Sequence, residues 1–355
     1  MEQLSIINEE IMKALIYYGN KNIKLENSWQ DPKLNDEFDS IIKINYTSIC
    51  ATDIEEWQFG PNYIQENDLP IVHGHEITGE VIEIGKNVKN LNIGDTVAVN
   101  NVIHCKKCFW CLNGQGGACV GMKVAGFALD GGLSEYMRWP STHLIKISDD
   151  IPKKYGALIE PSTVATHAIR KSGVKPGDNV AVVGCGTVGL LTVQVLKAAG
   201  AIVTAIDVRK ESLDLAKSFG ADFVYDSRKN DFVEYLLSIT SGIGHDIVFE
   251  TAGAQIAPKI SIDITRRGGK TILVGIYSKE LSMNFNDIVF FEKEVIGTVG
   301  SSPGDMEATV MLLNQGKIDP SSLVSETIKL DNVIKGGYEK MNSSSKSIFR
   351  ILVSP

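Results

Sequence analysis

The stretch "VAVVGCGTVG", residues 180–189, decides the fold prediction. A short apolar run, typical of a buried parallel strand, leads into three glycines spaced G-x-G-x-x-G, and a helical segment follows. In such a unit the first glycine permits a tight turn, the second lets a pyrophosphate approach, and the third lets helix pack closely on strand. Gly184, Gly186 and Gly189, with Thr187 and Val188 at the helix start, therefore predict a dinucleotide-binding turn. The alternative is a glycine turn of a parallel sheet that binds no ligand.

Strand-like and helical segments continue to alternate after this turn, which predicts parallel β-α-β units with right-handed crossovers. Asp207 ends the next predicted strand, 18 residues beyond Gly189. A carboxylate there accepts hydrogen bonds from the adenosine ribose hydroxyls and repels a 2′-phosphate, which favours NAD over NADP. Arg209, two residues further along, is the feature that would tolerate a phosphate.

The chain before about residue 160 has a different pattern. Segments such as 40–49 alternate apolar and polar residues, as half-buried strands do, and glycine turns separate them. A length of 355 residues suits two domains. We expect a β-rich domain over 1–160, completed by the tail 302–355, and a doubly wound parallel-sheet domain over 161–301.

Composition limits the partners and the compartment. The formal net charge of −8 argues against nucleic acid and anionic membrane as main partners. Apolar runs stay shorter than the roughly 18 residues that a membrane span needs. The acidic start of the chain lacks the basic and apolar regions of a signal peptide. We therefore expect a cytoplasmic protein.

Four of the six cysteines fall within "HCKKCFWCLNGQGGAC", residues 104–119. They are Cys105, Cys108, Cys111 and Cys119, and in a reducing compartment such a cluster predicts a metal site. Four thiolates can surround a tetrahedral zinc and leave no open position for chemistry, so the site would be structural. Two disulfides are the alternative. An iron–sulfur cluster fits less well, because seven residues separate the last two cysteines where a ferredoxin has three.

Three motifs together resemble the zinc-containing medium-chain alcohol dehydrogenases. They are the four-cysteine lobe, the glycine turn, and a Gly-His-Glu-x2-Gly-x5-Gly pattern read on Gly74, His75, Glu76, Gly79 and Gly85. The resemblance covers nearly the whole chain. It implies an α/β protein with a β-rich GroES-like catalytic domain and a Rossmann cofactor domain.

The segment "ALIEPSTVATHA", which contains Glu160, resembles the polyol branch of that family, with sorbitol, butanediol and threonine dehydrogenases. The resemblance implies a catalytic zinc held by Cys50, His75 and Glu76, with Glu160 as a direct or water-bridged fourth ligand. His73 is then a bystander.

The resemblance also implies the chemistry. Zinc makes a bound secondary alcohol acidic, and hydride then passes to the nicotinamide. Thr52 matches the family hydroxyl that carries the alcohol proton towards solvent. Glu55 stands where many relatives have a relay histidine, and a glutamate there can relay protons or bind a sugar hydroxyl.

The resemblance leaves the substrate open. The first expectation is a vicinal diol or polyol, since "EWQFGPNYI" resembles butanediol dehydrogenases, whereas Glu55 resembles archaeal-type glucose dehydrogenases. The alternatives are a sugar 1-dehydrogenase, an L-threonine 3-dehydrogenase-like enzyme, and a non-enzymatic zinc protein that senses dinucleotide. Relatives are commonly dimers or tetramers, and we expect a homo-oligomer, either a dimer or a homotetramer.

Overall fold

A computed structural model describes residues 11–229, 231–343 and 348–355 of the chain. Residues 1–10, which the sequence assigns to the β-rich domain, lie outside the described residues. No helix in the described part is both long enough and apolar enough to cross a membrane.

Contacts between Cα atoms group the chain into two compact units. The first comprises Met1–Cys108, Val120–Glu160 and Val324–Pro355, and the second comprises Phe109–Cys119 and Pro161–Leu323.

The first unit is built mainly from strands. They are β1 (Ile11–Tyr17), β2 (Ile23–Gln30), β3 (Asp39–Ile49), β4 (Ile71–Val72), β5 (Glu76–Ile84), β6 (Thr96–Val99), β7 (Val102–Ile103), β8 (Lys123–Val124), β9 (Tyr136–Pro140) and β10 (Leu144–Lys146). The second unit continues the count with β11 (Asn179–Val183), β12 (Ile202–Asp207), β13 (Phe223–Asp226), β14 (His245–Glu250), β15 (Thr265–Leu273) and β16 (Glu294–Gly297). The chain then returns to the first unit with β17 (Val324–Lys329) and β18 (Arg350–Ser354).

The longest helices lie wholly or mostly in the second unit. In chain order they are α1 (Ala51–Phe59), α2 (Phe109–Leu112), α3 (Lys153–Gly156), α4 (Ile159–Ser172), α5 (Thr187–Ala198), α6 (Lys210–Ser218), α7 (Phe232–Ser238), α8 (Ala257–Ile264), α9 (Asn286–Val289), α10 (Asp305–Asn314) and α11 (Lys340–Asn342). A π-helix, Val333–Glu339, precedes α11.

The sheet that matters for the site in the first unit has the strand order β10-β6-β5-β3-β18-β17, with β9 also paired to β3. The long strand β3 buries most of its residues, since it is central and pairs with β5, β9 and β18. Its apolar face packs in a core that includes Ile42, Ile77 and Val97.

The second unit has one parallel six-stranded sheet in the order β13-β12-β11-β14-β15-β16. In β11 the four residues Val180–Val183 are all buried, as expected for a central strand covered on both faces. The alternation of strands and helices predicted after Gly184 is therefore confirmed, and so is the fold class of a β-rich domain with a doubly wound parallel-sheet domain.

Candidate active site and cofactor site

The candidate metal ligands come together because two strands pair. In the antiparallel pairing of β3 with β5, Ser48 lies opposite Glu76. The end of β3 therefore lies beside the start of β5, which brings Cys50 next to His75. Cys50 is the N-cap of α1, and its backbone N–H donates to Asp53 Oδ2 at 2.8 Å, which fixes the first turn of that helix.

Cys50, His75 and Glu76 each offer one ligand atom, and these atoms all lie within 4.8 Å of one another. Cys50 is half-buried and the other two residues are buried. A thiolate, an imidazole and a carboxylate are donors that zinc accepts, and three protein ligands are the number found in catalytic zinc sites, where a fourth position stays open. The residues present therefore fit a catalytic zinc.

Asp53 orients the histidine of this set. Its Oδ1 lies 3.1 Å from His75 Nδ1, which leaves His75 Nε2 as the metal-binding atom. Burial disfavours the imidazolium, but the nearby Asp53 and Cys50 more than offset it and hold the pKa of His75 well above its usual value. Burial also opposes the ionisation of Asp53, yet His75 keeps the pKa of this carboxyl below its usual value. In the absence of a metal, the two residues form a buried ion pair.

Arg350 is the counter-ion of Glu76. Its Nε donates to Glu76 Oε2 at 3.0 Å and its Nη2 donates to Oε1 at 2.8 Å, and Nη2 also lies 3.7 Å from Cys50 Sγ. The contact follows from strand register, because Ile351 of β18 pairs with Ile49 of β3 and so places Arg350 opposite Cys50. The bidentate guanidinium therefore balances the negative charge of Glu76.

Glu160 does not belong to the closely spaced set of three. It is held instead by Asn101, whose Nδ2 donates to Glu160 Oε1 at 3.1 Å. Burial raises the pKa of Glu160 to about 7, with His75 lowering it and Glu76 raising it further. Near neutral pH this carboxyl can therefore hold or release a proton.

The two proton-relay candidates lie in the first turns of α1. Thr52 is half-buried and Glu55 is exposed. Oε2 of Glu55 accepts a hydrogen bond from the Tyr63 hydroxyl at 3.2 Å.

His73 is not part of the donor set. Its Nδ1 lies 2.6 Å from the Tyr338 hydroxyl and 4.0 Å from Asp53 Oδ1. Burial lowers the pKa of His73 to about 4, so the ring is neutral. The ring packs beside Phe127, which also contacts His75.

The four clustered cysteines also come together. Ligand atoms of Cys105, Cys108, Cys111 and Cys119 lie within 4.8 Å of one another, and no disulfide joins the cysteines, all of which lie in the described part of the chain. Four close thiols fit a tetrahedral zinc with four protein ligands. The donor set therefore fits the predicted structural zinc.

The glycine turn has the shape that the sequence predicts. Gly184 has φ +95°, and a Cβ there would meet Ala252 at 2.7 Å; a Cβ on Gly189 would lie 1.9 Å from the Gly184 carbonyl oxygen. Close contacts within the protein therefore exclude any larger residue at these two positions. A Cβ on Gly186 would meet nothing within 4 Å, so this bare position leaves open space at the N-terminus of α5. Open space at the N-terminus of a helix, towards which backbone N–H groups point, is a fitting cradle for a pyrophosphate. Thr187 is buried and Val188 half-buried in the first turn of the same helix.

Asp207 ties the end of β12 to this turn. Its Oδ2 accepts from the Cys185 N–H at 2.6 Å, and its Oδ1 accepts from the Arg209 N–H at 2.8 Å. The Arg209 side chain folds back, with Nε 3.2 Å from Asp207 Oδ1 and Nη2 donating to the Cys185 carbonyl at 3.2 Å. The carboxylate is therefore held in place at the carboxyl end of the sheet.

Comparison with known proteins shows the family of the chain. Residues 187–315 match the zinc-binding dehydrogenase family, and residues 36–149 match the alcohol dehydrogenase GroES-like domain. The chain is 34% identical over 355 residues to (R,R)-butanediol dehydrogenase of Bacillus subtilis, covering 97% of this chain and 100% of that protein. The chain belongs to the zinc-binding dehydrogenase family.

A further relative of this dehydrogenase and a solved structure support the assignment. The chain is 33% identical over 306 residues to sorbitol dehydrogenase of Halalkalibacterium halodurans, covering 83% of this chain and 88% of the relative. The crystal structure of 2R,3R-butanediol dehydrogenase from Bacillus subtilis superposes with a TM-score of 0.89 at 34% identity and covers 97% and 99% of the two chains. The resemblance drawn from the sequence motifs is therefore confirmed, and the protein is an oxidoreductase.

Sequence reasoning missed four residues that the structure places around the ligands of this dehydrogenase: Asp53, Asn101, Tyr338 and Arg350. Two of them carry a local signal. Asp53 follows the N-cap Cys50 by three residues, which is the spacing of a capping box. Arg350 is a lone charge in the apolar strand "RILVS", and a charge in a buried strand predicts a buried partner.

Proposed function

We propose that the protein catalyses the zinc-dependent, NAD-linked oxidation of a secondary alcohol in a vicinal diol or polyol, and the reverse reduction of the ketone. The observation that carries this proposal is the set of Cys50, His75 and Glu76 donor atoms within 4.8 Å of one another. The names of the relatives support a diol or polyol as the substrate class. In the forward direction the carbinol carbon gives a hydride to NAD⁺, the hydroxyl gives a proton to solvent, and a ketone remains.

A zinc ion on these ligands would supply Lewis acidity that lowers the pKa of the alcohol. The residues of the chain do the rest. Asp53 keeps His75 Nδ1 engaged and so presents Nε2 to the metal. Half-buried Thr52 accepts the proton of the alcohol and passes it towards solvent. Glu160, which Asn101 holds in place, serves as a direct or water-bridged fourth ligand.

A second zinc on the four-cysteine lobe has a structural role in this proposal. Elemental analysis of the purified enzyme should therefore give about two zinc ions per chain. Replacing Cys111 by Ser should remove one of them and lower the thermal stability, whereas replacing Glu76 by Ala should abolish turnover and leave NAD binding intact. Turnover that survives in the Glu76→Ala variant would refute the assignment of the catalytic ligands.

We propose NAD as the cofactor in preference to NADP. The support is the Asp207 carboxylate, which the Cys185 and Arg209 amides hold at the carboxyl end of β12. Comparison of kcat/KM with the two cofactors tests this directly. An Asp207→Ala variant should shift the ratio towards NADP, since Arg209 then loses its internal partner and can bind a phosphate.

We also propose that the enzyme works in the cytoplasm as a homo-oligomer, a dimer or a tetramer. Edge strand β16 supports self-association, because Val295 on this strand and Phe290 just before it are 38% and 73% exposed. Light scattering on the native enzyme and on a Val295→Lys variant tests this assembly. A native protein that remains a monomer at micromolar concentration would contradict it.

A substrate panel tests the reaction itself. Purified enzyme should oxidise 2,3-butanediol or a hexitol with NAD faster than it oxidises an aldose at its anomeric carbon or L-threonine. Preference for glucose would favour a sugar 1-dehydrogenase, and preference for threonine would favour a threonine 3-dehydrogenase. No turnover with any of these compounds, together with tight NAD binding, would favour a dinucleotide-sensing protein.

A further inference from the structure

Glu55 and Tyr63 form an exposed polar pair in the same unit as the catalytic ligands. The Tyr63 hydroxyl donates to Glu55 Oε2 at 3.2 Å, and Tyr63 is 40% exposed. Neither side chain is buried in a core, so packing does not require either polar group. Because Tyr63 holds Oε2, the carboxylate has a fixed orientation and its Oε1 remains an acceptor for a ligand.

Ring contacts place this pair near the donor set. The Tyr63 ring packs edge-on against Phe127 with centroids 5.8 Å apart, and Phe127 lies 5.0 Å from the His75 ring. Along the helix, Glu55 is five residues beyond Cys50, a rise of about 7.5 Å. The pair therefore lies far enough from the metal ligands to contact a part of the substrate other than its reacting carbon.

Glu55 gives this pair its negative charge, since it is an exposed carboxylate. The buried carboxylates Asp53 and Glu76 already have cationic partners. His75 pairs with Asp53, and Arg350, which is 5% exposed, makes two hydrogen bonds to Glu76 and is therefore committed to that carboxylate. Burial and the nearby Glu55 carboxylate raise the pKa of Tyr63 to about 12, so its hydroxyl remains a proton donor at neutral pH.

We propose that Glu55 binds a remote hydroxyl of an uncharged polyol, that Tyr63 positions this carboxylate, and that the pair selects against polyols that carry a phosphate or a carboxylate. This inference rests on the proposed polyol dehydrogenase function. A hydroxyl donates to Oε1 of Glu55 in a charge-assisted hydrogen bond, whereas an anionic substituent at the same place is repelled. A short diol has no hydroxyl beyond the reacting pair and gains nothing from Glu55.

Steady-state kinetics with NAD and three probes test the subsite: sorbitol, sorbitol 6-phosphate and 2,3-butanediol. The wild-type enzyme should prefer sorbitol to its phosphate by about tenfold or more in kcat/KM, since like charges close together are strongly disfavoured. In Glu55→Gln, kcat/KM for sorbitol should fall about fivefold, mainly through KM, because a neutral acceptor replaces a charged one. The kcat/KM of this variant for 2,3-butanediol should stay within about twofold of the wild-type value. The ratio of kcat/KM for sorbitol to that for sorbitol 6-phosphate should become smaller.

Two further variants complete the design. Tyr63→Phe should lower kcat/KM for sorbitol less than Glu55→Gln does, since it frees the carboxylate without removing its charge. Glu83→Gln is the matched control, because Glu83 is an exposed carboxylate near the far end of β5. It should behave like the wild type with all three probes. Equal melting temperatures would show that the exposed sites do not affect folding.

The possible results distinguish a failure of the subsite proposal from a failure of the proposed dehydrogenase function. An enzyme that oxidises sorbitol and its phosphate equally well would overturn the subsite alone, and so would a Glu55→Gln variant that loses sorbitol and butanediol activity to the same extent. An enzyme inactive on sorbitol and on 2,3-butanediol would overturn the proposed function, and the subsite with it.

Discussion

The ion pair between Arg350 and Glu76 gives a quantitative prediction for the zinc-free protein. Both residues are buried, 5% and 0% exposed, and two hydrogen bonds of 3.0 and 2.8 Å join them. Replacing Arg350 by Met removes the counter-ion and leaves a buried carboxylate unpaired, which costs about 3–5 kcal/mol. With a urea m-value of about 2 kcal/mol/M, the unfolding midpoint of the first unit should fall by about 2 M.

Urea titration of both proteins after removal of zinc by a chelator measures this shift. Tryptophan fluorescence is a suitable signal, because Trp29, Trp57 and Trp139 belong to the first unit. The matched control is Arg138→Met, which breaks an ion pair with Asp39 in the same unit. That pair is 3.5 Å long and the Arg138 side chain is 37% exposed. The control should lose at most about 1 kcal/mol.

Two further measurements separate the charge effect from lost packing. The double variant Arg350→Met with Glu76→Gln should recover much of the stability, because a neutral amide no longer leaves a buried charge. Added zinc should reduce the difference in urea unfolding midpoint between Arg350→Met and the wild type, because the dication replaces the missing positive charge. If Arg350→Met lowers the urea midpoint no more than Arg138→Met does, the reasoning about a buried counter-ion is refuted.

Three other predictions follow from the same geometry. Gly186→Ala should change the free energy of unfolding by less than about 0.5 kcal/mol, because the added Cβ meets no other atom. The same variant should weaken NAD binding about tenfold or more in a fluorescence titration. Gly189→Ala should instead lower the melting temperature, since its Cβ would overlap a carbonyl oxygen. Asp53→Asn should weaken zinc binding about 10- to 100-fold, measured with a chromogenic chelator, and unchanged affinity would exclude its role in orienting His75. The pKa of Glu160 is raised from 4.5 to about 7, so the folded zinc-free protein binds a proton that the unfolded chain has released. Its stability should therefore fall by at most about 3 kcal/mol as pH rises from 5 to 7.5, and Glu160→Gln should flatten that profile in urea titrations.

The glycine turn was predictable because its requirements appear as one short sequence pattern. Gly184 and Gly189 are needed by contacts within the strand, the turn and the segment after β14, and the sequence pattern states that need directly. The same holds for the ligand motifs. Zinc accepts few residue types, so Cys50 and the adjacent pair His75 and Glu76 are visible in short stretches of sequence. Their meeting then depends on one strand pairing, between β3 and β5.

Residues that act through charge or orientation alone were harder to find. Glu160 interacts with Asn101, and His73 with Tyr338, across 59 and 265 positions of sequence respectively. A hydrogen-bond partner needs only a suitable polar atom at the right place. Many residue types meet that condition, and therefore the sequence offers no short motif that identifies them.

Arg350 shows how the fold selects such a partner. Glu76 needs a positive charge, and 274 positions separate it from the residue that supplies one. The choice depends on which strand passes the site, and the pairing of Ile351 with Ile49 brings the first residue of β18 to Cys50. Any basic residue elsewhere in the tail would point to another place, since a shift of one residue turns every side chain of a strand to the opposite face. The register of β18 therefore selects the partner of Glu76, and a variant that shifts it should destabilise the zinc-free protein as Arg350→Met does, even though all three ligands remain.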